Sequence, residues 1–317
     1  MDKSFHPLLS DSLIRQSVAY YDEHGNYHQR ALAHYYYSVF FRDTNCQPEM
    51  LHELLLADFN LSKTHDERLK SMIDYYIGQV YFNNGLYDKA LPFFTNALKC
   101  AEDINDTIVY IEVVEELSAV QTYMGEIGLA KNNLRIAENL SRQIKYDQGL
   151  AISYLYLSRL YRRNGEYSQA LDYARKSFFV DTEVSKHLRT YFMGLTMHLN
   201  GMNDSAKVYL NQALCHDYYI DSDCYALLAD IYKEEGNLAL SVKYEKLFSE
   251  YIDSLNNAKI DVSVSEVEHE YILMSNRERQ LRTYIVIGVS ILVCISVLVF
   301  LFLWWRKQKN IRVKWLS

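Results

Sequence analysis

Five glycines recur along the chain at near-regular intervals: Gly85, Gly125, Gly165, Gly201 and Gly236, separated by 40, 40, 36 and 35 residues. Alanine follows four of them five positions later, at Ala90, Ala130, Ala170 and Ala206, and Ser241 holds that place after Gly236. A repeat of this length marks stacked supersecondary units, each too small to bury an apolar face alone. The sequence therefore predicts a repeat solenoid. The chain holds only 3 prolines and 11 glycines in 317 residues. With five glycines in the ladder, helix breakers are confined to periodic turns, which predicts an all-α fold.

Indexing from Gly85 as position 15 of a unit of about 34 residues brings out further columns. Position 8 is small throughout: Ser38, Gly78, Ser118, Ser158, Gly194 and Ala229. Position 7 is large, from Tyr37 and Ile77 to Leu228. Position 11 is mostly large (Phe41, Tyr81, Tyr161, Met197, Tyr232), with Gln121 the exception. Position 27 is Ala57, Ala97, Ala137, Ser177 and Ala213, and the pattern ends at Phe248. Two antiparallel helices approach closely only where a small residue admits the partner, with large neighbours filling the space beside it. The glycine then supplies the left-handed backbone of the turn between them.

These columns resemble the tetratricopeptide repeat (TPR) family, most clearly in YYIGQVYFNNGLYDKALPFFTNAL (75–98) and YLYLSRLYRRNGEYSQALDYARKS (154–177). Six units are expected, beginning near residues 31, 71, 111, 151, 187 and 222. The first is degenerate, with Asn45 for the turn glycine and Met50 for the alanine, and the last decays in its second helix. The 40-residue spacings call for longer helices or loops around Asp66, Asp106 and Asp147. Pro92 is expected in the first turns of a second helix, where a missing amide costs little. Ahead of the array, residues 11–25 read as a lone amphipathic helix with Leu13, Ile14, Val18 and Tyr21 on one face, like the second half of a repeat. The 28 tyrosines are expected mainly as knobs between helices, with a minority in a binding groove. The expected division is a partial repeat over 1–30, the solenoid over 31–255, a helical stalk over 256–282, a transmembrane helix over 283–305 and a basic tail over 306–317.

The segment 284–305 carries no charge. At about 1.5 Å per residue it spans a hydrocarbon core of about 30 Å. Tyr284, Trp304 and Trp305 stand at its ends as interfacial anchors. Arg306, Lys307, Lys309, Arg312 and Lys314 follow it without an acid, so the positive-inside bias puts the C-terminus in the cytoplasm and the repeats in the periplasm of a bacterial inner membrane. The residues after Met1 contain no apolar run to start export, which leaves open a start farther upstream or cytoplasmic repeats on a tail anchor. In the stalk, Val264, Val267, Tyr271, Met274 and Leu281 follow a 3–4 spacing broken at Glu278. A homodimeric coiled coil and a plain helix both fit that pattern.

The arrangement also resembles membrane regulators of Bacteroides-type bacteria, through residues 6–25, residues 30–43 (RALAHYYYSVFFRD) and the basic tail. That resemblance implies extracytoplasmic repeats, one membrane span and a cytoplasmic output domain. Only 12 residues follow Trp305, so the output domain is expected to be missing from this sequence.

The formal net charge of −7 argues against a general nucleic-acid binder. No nucleotide-binding, hydrolase or zinc-protease motif occurs, and the five cysteines (46, 100, 215, 224 and 294) lack Cys-x-x-Cys spacing. No enzyme, cofactor or metal is expected, and the thiols read as free. Cys215 and Cys224 flank one inter-repeat turn. The TPR resemblance implies a concave surface lined by positions 2, 5, 9 and 12 of each first helix. Here those include Tyr35, Arg42, Tyr75, Gln79, Glu112, Glu115, Arg159, Arg162, Tyr191 and His198. The Glu and Arg pairs could neutralise each other as exposed ion pairs, or the arginines and tyrosines could receive a peptide or protein. The alternative to a signalling role is a scaffold for an envelope complex.

Overall fold

The computed structural model describes residues 11–44, 46–216, 218–258 and 264–314; Asn45 lies outside them. Among these residues there are fourteen helices and no strand. A leading helix, α1 (Ser12–His24), precedes six antiparallel pairs. The pairs are α2 (Tyr27–Asp43) with α3 (Gln47–Leu61), α4 (Glu67–Asn83) with α5 (Tyr87–Asp103), and α6 (Thr107–Met124) with α7 (Ile127–Ile144). They continue as α8 (Asp147–Arg163) with α9 (Tyr167–Phe179), α10 (Lys186–Leu199) with α11 (Asn203–Ala213), and α12 (Tyr218–Glu234) with α13 (Leu238–Ala258). This is a TPR-type α-solenoid. A separate unit holds α14 (Val264–Lys314).

Each ladder glycine sits between the two helices of a pair with φ between +72° and +85°. The turns between repeats are also left-handed at Asn105, Lys145, Ser185 and His216, which the glycine ladder alone did not disclose. Helix starts are fixed by side-chain caps: Asp66 accepts the Leu69 amide, Asp106 the Val109 amide, and Asn26 forms a capping box with Gln29. The long early spacings are thus taken up in helix: α6 and α7 have 18 residues each, against 14 and 11 in α10 and α11. Pro92 departs from expectation. It is the sixth residue of α5, beyond the first-turn amides that lack intrahelical partners, so it removes one helical hydrogen bond.

Position 8 is where the two helices of a pair meet. A Cβ on Gly78 would come within 3.0 Å of the Phe94 ring, and one on Gly194 within 2.9 Å of Leu210. Phe94 and Leu210 are completely buried, as are Ala90, Ala130, Ala170 and Ala206. Position 11 stacks on position 23 of the same pair: Tyr161 on Tyr173 at 5.3 Å and 10°, Tyr232 on Tyr244 at 5.5 Å and 5°. Lys131 and Lys207 from the preceding repeats lie over Tyr161 and Tyr232, at 4.8 and 5.4 Å. Position 27 ties back to position 1 by a hydrogen bond whose donor changes sides. Ser71 Oγ donates to the Ala97 carbonyl at 3.0 Å, whereas Ser177 Oγ donates to the Ala151 carbonyl at 2.7 Å.

The irregular link between α9 and α10 closes on Arg189, only 2% exposed, whose guanidinium donates to the Ser177, Val180, Thr182 and Val184 carbonyls. These bonds tie the end of α9 to the loop that follows it. None of the five cysteines forms a disulfide, and Cys100 and Cys224 are buried.

Helix α1 packs on α2. Ile14, Val18 and Tyr21 are half-buried, but Leu13 is 77% exposed, because α1 touches its neighbour along a narrower stripe than the expected face. The tie to the first repeat is polar. Buried His34 meets Glu53 Oε2 at 2.6 Å through Nδ1 and Asp22 Oδ1 at 3.1 Å through Nε2. Burial disfavours the imidazolium, yet these two carboxylates outweigh it and raise the His34 pKa above its usual value. Protonated His34 donates to both.

In α14 the stretch Arg279–Leu301 is long and apolar enough to cross a bilayer, and its side chains are exposed. The stalk expected over 256–282 divides between the end of α13 and the start of α14, with residues 259–263 outside the described residues.

Two outcomes follow. Gly194→Ala forces a Cβ into Leu210 and is expected to cost about 1–3 kcal/mol, whereas Gly128→Ala, with open space around its Cβ, gains up to about 1 kcal/mol; denaturant unfolding of the two variants checks the contrast. His34 has a raised folded pKa, so its contribution is complete below about pH 6.5 and is lost as pH rises through the higher value. His34→Gln is expected to flatten that part of the stability–pH curve, read by thermal unfolding of the solubilised chain.

Candidate ligand-binding groove

The first helices draw together along the array: α4 packs on α6, α6 on α8, α8 on α10 and α10 on α12, while no two second helices pack as closely among the described residues. A stack whose one layer is closer-spaced than the other curves toward the closer layer. The first helices therefore line the inner, concave side.

On this side neighbouring repeats are joined by a ladder of polar and aromatic contacts. Arg42 Nη1 donates to Tyr76 Oη at 2.8 Å, with its guanidinium over the ring at 5.5 Å, and also pairs with Asp43. Arg42 and Gln79 share the lining of a cavity of about 60 Å³. Gln79 Nε2 donates to Tyr75 Oη at 2.9 Å within α4 and to Glu116 Oε1 at 3.4 Å on the next repeat. Tyr156 Oη donates to the same Glu116 oxygen at 2.8 Å. Tyr146 Oη donates to Glu112 at 2.7 Å, and Ser153 Oγ to Glu115 at 2.6 Å. Arg159 Nη2 donates to Tyr123 Oη at 3.0 Å, and its guanidinium lies 5.4–5.8 Å from the centres of the Tyr123, Tyr156 and Phe192 rings.

The ten residues named from sequence do not all share one role. Tyr35 and Glu115 are buried at 5% and 2% exposure. Both occupy position 5, which the structure turns into the seam between adjacent first helices rather than toward solvent. Glu112 and Glu115 are each taken by a hydroxyl from the next repeat, so the expected Glu–Arg ion pairing is replaced by hydroxyl–carboxylate bonds. Arg42, Tyr75, Gln79, Arg159 and Arg162 are half-buried. Tyr191 is half-buried as well, under the electrostatic influence of Asp223, Arg162 and Arg159. His198 is turned to Asn203, which it meets at 2.9 Å. The Nε of Arg162 is buried and has no hydrogen-bond partner among the described residues.

Indexing on four positions overlooked position 6: Tyr36, Tyr76, Glu116, Tyr156, Phe192 and Leu227. The aromatic recurrence in this column was visible in the sequence. Tyr76, Glu116, Tyr156 and Phe192 of this column reach the following or preceding repeat and carry most of the ladder.

Burial raises the carboxyls of Glu112, Glu115 and Glu116, against the hydroxyl donors that favour their ionised forms; the effect is greatest for Glu115. Burial also raises Tyr75 and Tyr156, reinforced by Glu116. The surface combines rigid aromatic walls, a guanidinium framed by three rings and hydrogen-bonding groups at several depths. Among the described residues no cluster of His, Cys, Asp or Glu is arranged to hold a metal ion.

No family model matches the chain. Over 227 residues it is 26% identical to the TPR repeat-containing protein YpiA of Bacillus subtilis (strain 168), which covers 59% of this chain and 52% of YpiA. The chain thus spans about half the length of that curated relative. The solenoid is similar to NprR solved in complex with its cognate peptide NprX, with TM-score 0.59 and 15% identity over 84% of this chain and 82% of that one. It is similar also to a Rap protein complexed with competence and sporulation factor, with TM-score 0.58 and 12% identity over 76% of this chain and 80% of that one. The Rap conjugation gene regulator of plasmid pLS20, solved with the Phr* peptide, gives TM-score 0.58 and 14% identity over 83% and 81%. At these identities the likeness is one of fold.

The raised Glu115 carboxyl yields a signed expectation. Below its unfolded pKa both states are protonated; above the folded value a buried charge must be carried, so stability is lost as pH rises through that value. Glu115→Gln is expected to match or exceed the native stability at neutral pH. Glu115→Ala, which opens a void and strands Ser153, is expected to cost about 2–3 kcal/mol. Thermal unfolding across pH distinguishes the two.

Proposed function

We propose that this chain is a membrane-anchored peptide- or protein-binding module, the sensory part of a bacterial transmembrane signalling or regulatory protein. The observation that carries the reading is Arg159, framed by Tyr123, Tyr156 and Phe192 on the inner face of the array, with Arg162 one helical turn along, its Nε without a hydrogen-bond partner among the described residues. Tyrosine and arginine are the side chains that most often concentrate binding energy in an interface, and an extended or helical segment is the ligand shape a curved helical layer admits. The peptide-bound neighbours of the same fold support this ligand class.

The segment 283–305 is the anchor in this proposal, with residues 306–317 cytoplasmic and the repeats outside. The uncharged span and the arginines and lysines beyond it support that arrangement. A ligand in the groove bridges several first helices and so alters their spacing. The stalk, through a homodimer, passes that change to the span.

Two measurements test the proposal. In a binding screen of immobilised short synthetic peptides against the detergent-solubilised chain, Arg159→Glu with Arg162→Glu is expected to weaken capture by at least about tenfold; unchanged capture rules out this patch. A cysteine placed at exposed Asn132 is expected to react with a membrane-impermeant maleimide in intact spheroplasts, and protection until permeabilisation reverses the topology.

A further inference from the structure

Away from the groove ladder, on the side of the second helices, a cavity of about 540 Å³ lies where α3, α4 and α5 meet beside the turn at Ser62–Asp66. That volume is in the range of small-molecule sites, about 300–1,000 Å³. Five carboxylates line it, from Asp58, Asp66, Glu67, Asp74 and Asp103, against the two ammonium groups of Lys70 and Lys99.

Most of these acids already have work inside the fold. Asp66 caps α4 through the Leu69 amide and meets His28 Nε2 at 2.9 Å. Glu67 accepts from the Cys100 thiol at 3.4 Å. Lys70 Nζ bridges Asp58 Oδ1 at 2.7 Å and Asp74 Oδ1 at 2.6 Å. Asp74 is left incomplete. Its side chain is wholly buried, and Oδ2 has no hydrogen-bond donor among the described residues. A buried carboxylate oxygen without a donor is costly to keep. Burial lifts the Asp74 carboxyl to about 6 despite Lys70. Lys70 pairs with both Asp58 and Asp74, and its side chain is 34% exposed, so it can keep Asp58 while releasing Asp74.

We infer that this cavity is a binding site for a small organic cation bearing primary ammonium groups, a linear diamine or polyamine. One ammonium donates to Asp74 Oδ2 at the floor and another lies toward exposed Asp103 at the mouth. The missing element is a hydrogen-bond donor with positive charge, which an ammonium supplies. A divalent metal fits less well. Calcium requires six to eight converging oxygens, and no such cluster forms among the described residues.

The test is calorimetric titration of the detergent-solubilised full chain with spermidine and putrescine, and separately with calcium and magnesium chloride, at constant ionic strength. Saturable 1:1 binding of an amine is expected, weakened at least about tenfold by Asp74→Asn and measurably by Asp103→Asn. The Asp103 change is at an exposed position, so it remains informative if Asp74→Asn does not fold. The pair Arg159→Glu with Arg162→Glu should leave amine binding intact, which separates this site from the groove. Absence of saturable amine binding, equal affinity in the wild type and the Asp103→Asn chain, or stoichiometric displacement of the amine by calcium would each overturn the proposal.

Discussion

A contact between a side chain too small to hold its neighbour away and a large one pressed into the gap recurs through the array, and the remaining geometry follows from it. Gly78 under Phe94 and Gly194 under Leu210 bring the axes of each pair together. Position 11 can then stack on position 23, and position 27 can reach back to position 1. Because interiors are close-packed, a single added methyl at such a point displaces whole helices. The left-handed turns complete the pairing: glycine takes them within a pair, and Asn105, Lys145, Ser185 and His216 take them between pairs.

Pairs packed in this way leave the first helices closer to one another than the second, and the two faces acquire different chemistry. Where first helices nearly touch, hydroxyls and carboxylates join successive repeats, as in Tyr156 to Glu116 and Ser153 to Glu115. Such bonds gain strength in low dielectric, where a missing partner is also most costly. A displacement of one first helix must therefore disturb its neighbours. On the other side the second helices stand farther apart, and the cavity at Asp74 opens there.

Individual residues show how far the sequence could be read. The ladder and its columns were enough to place six helix pairs, since each column states a steric requirement that only one pairing satisfies, and an apolar face placed the leading helix. The groove was read less well. Repeat spacing places position 5 on the concave surface, but Tyr35 and Glu115 are in a seam, because the rotation of a first helix against its neighbours depends on both adjacent repeats. Leu13 failed for a related reason: the width of a buried stripe is set by the partner helix. Glu116 and Phe192 were missed although their column was legible, since sequence spacing does not say how far a side chain reaches across a repeat boundary.

Periodicity determined the all-helical solenoid and the turns of its pairs, and an uncharged run of sufficient length determined a C-terminal apolar helix long enough to span a bilayer, because these rest on local sterics and on length. The tertiary structure decided which carboxylates meet hydroxyls instead of arginines, that His34 links three helices, and that one oxygen of Asp74 lacks a donor among the described residues. Each of those outcomes depends on groups brought together from different helices, at distances that no spacing along the chain encodes.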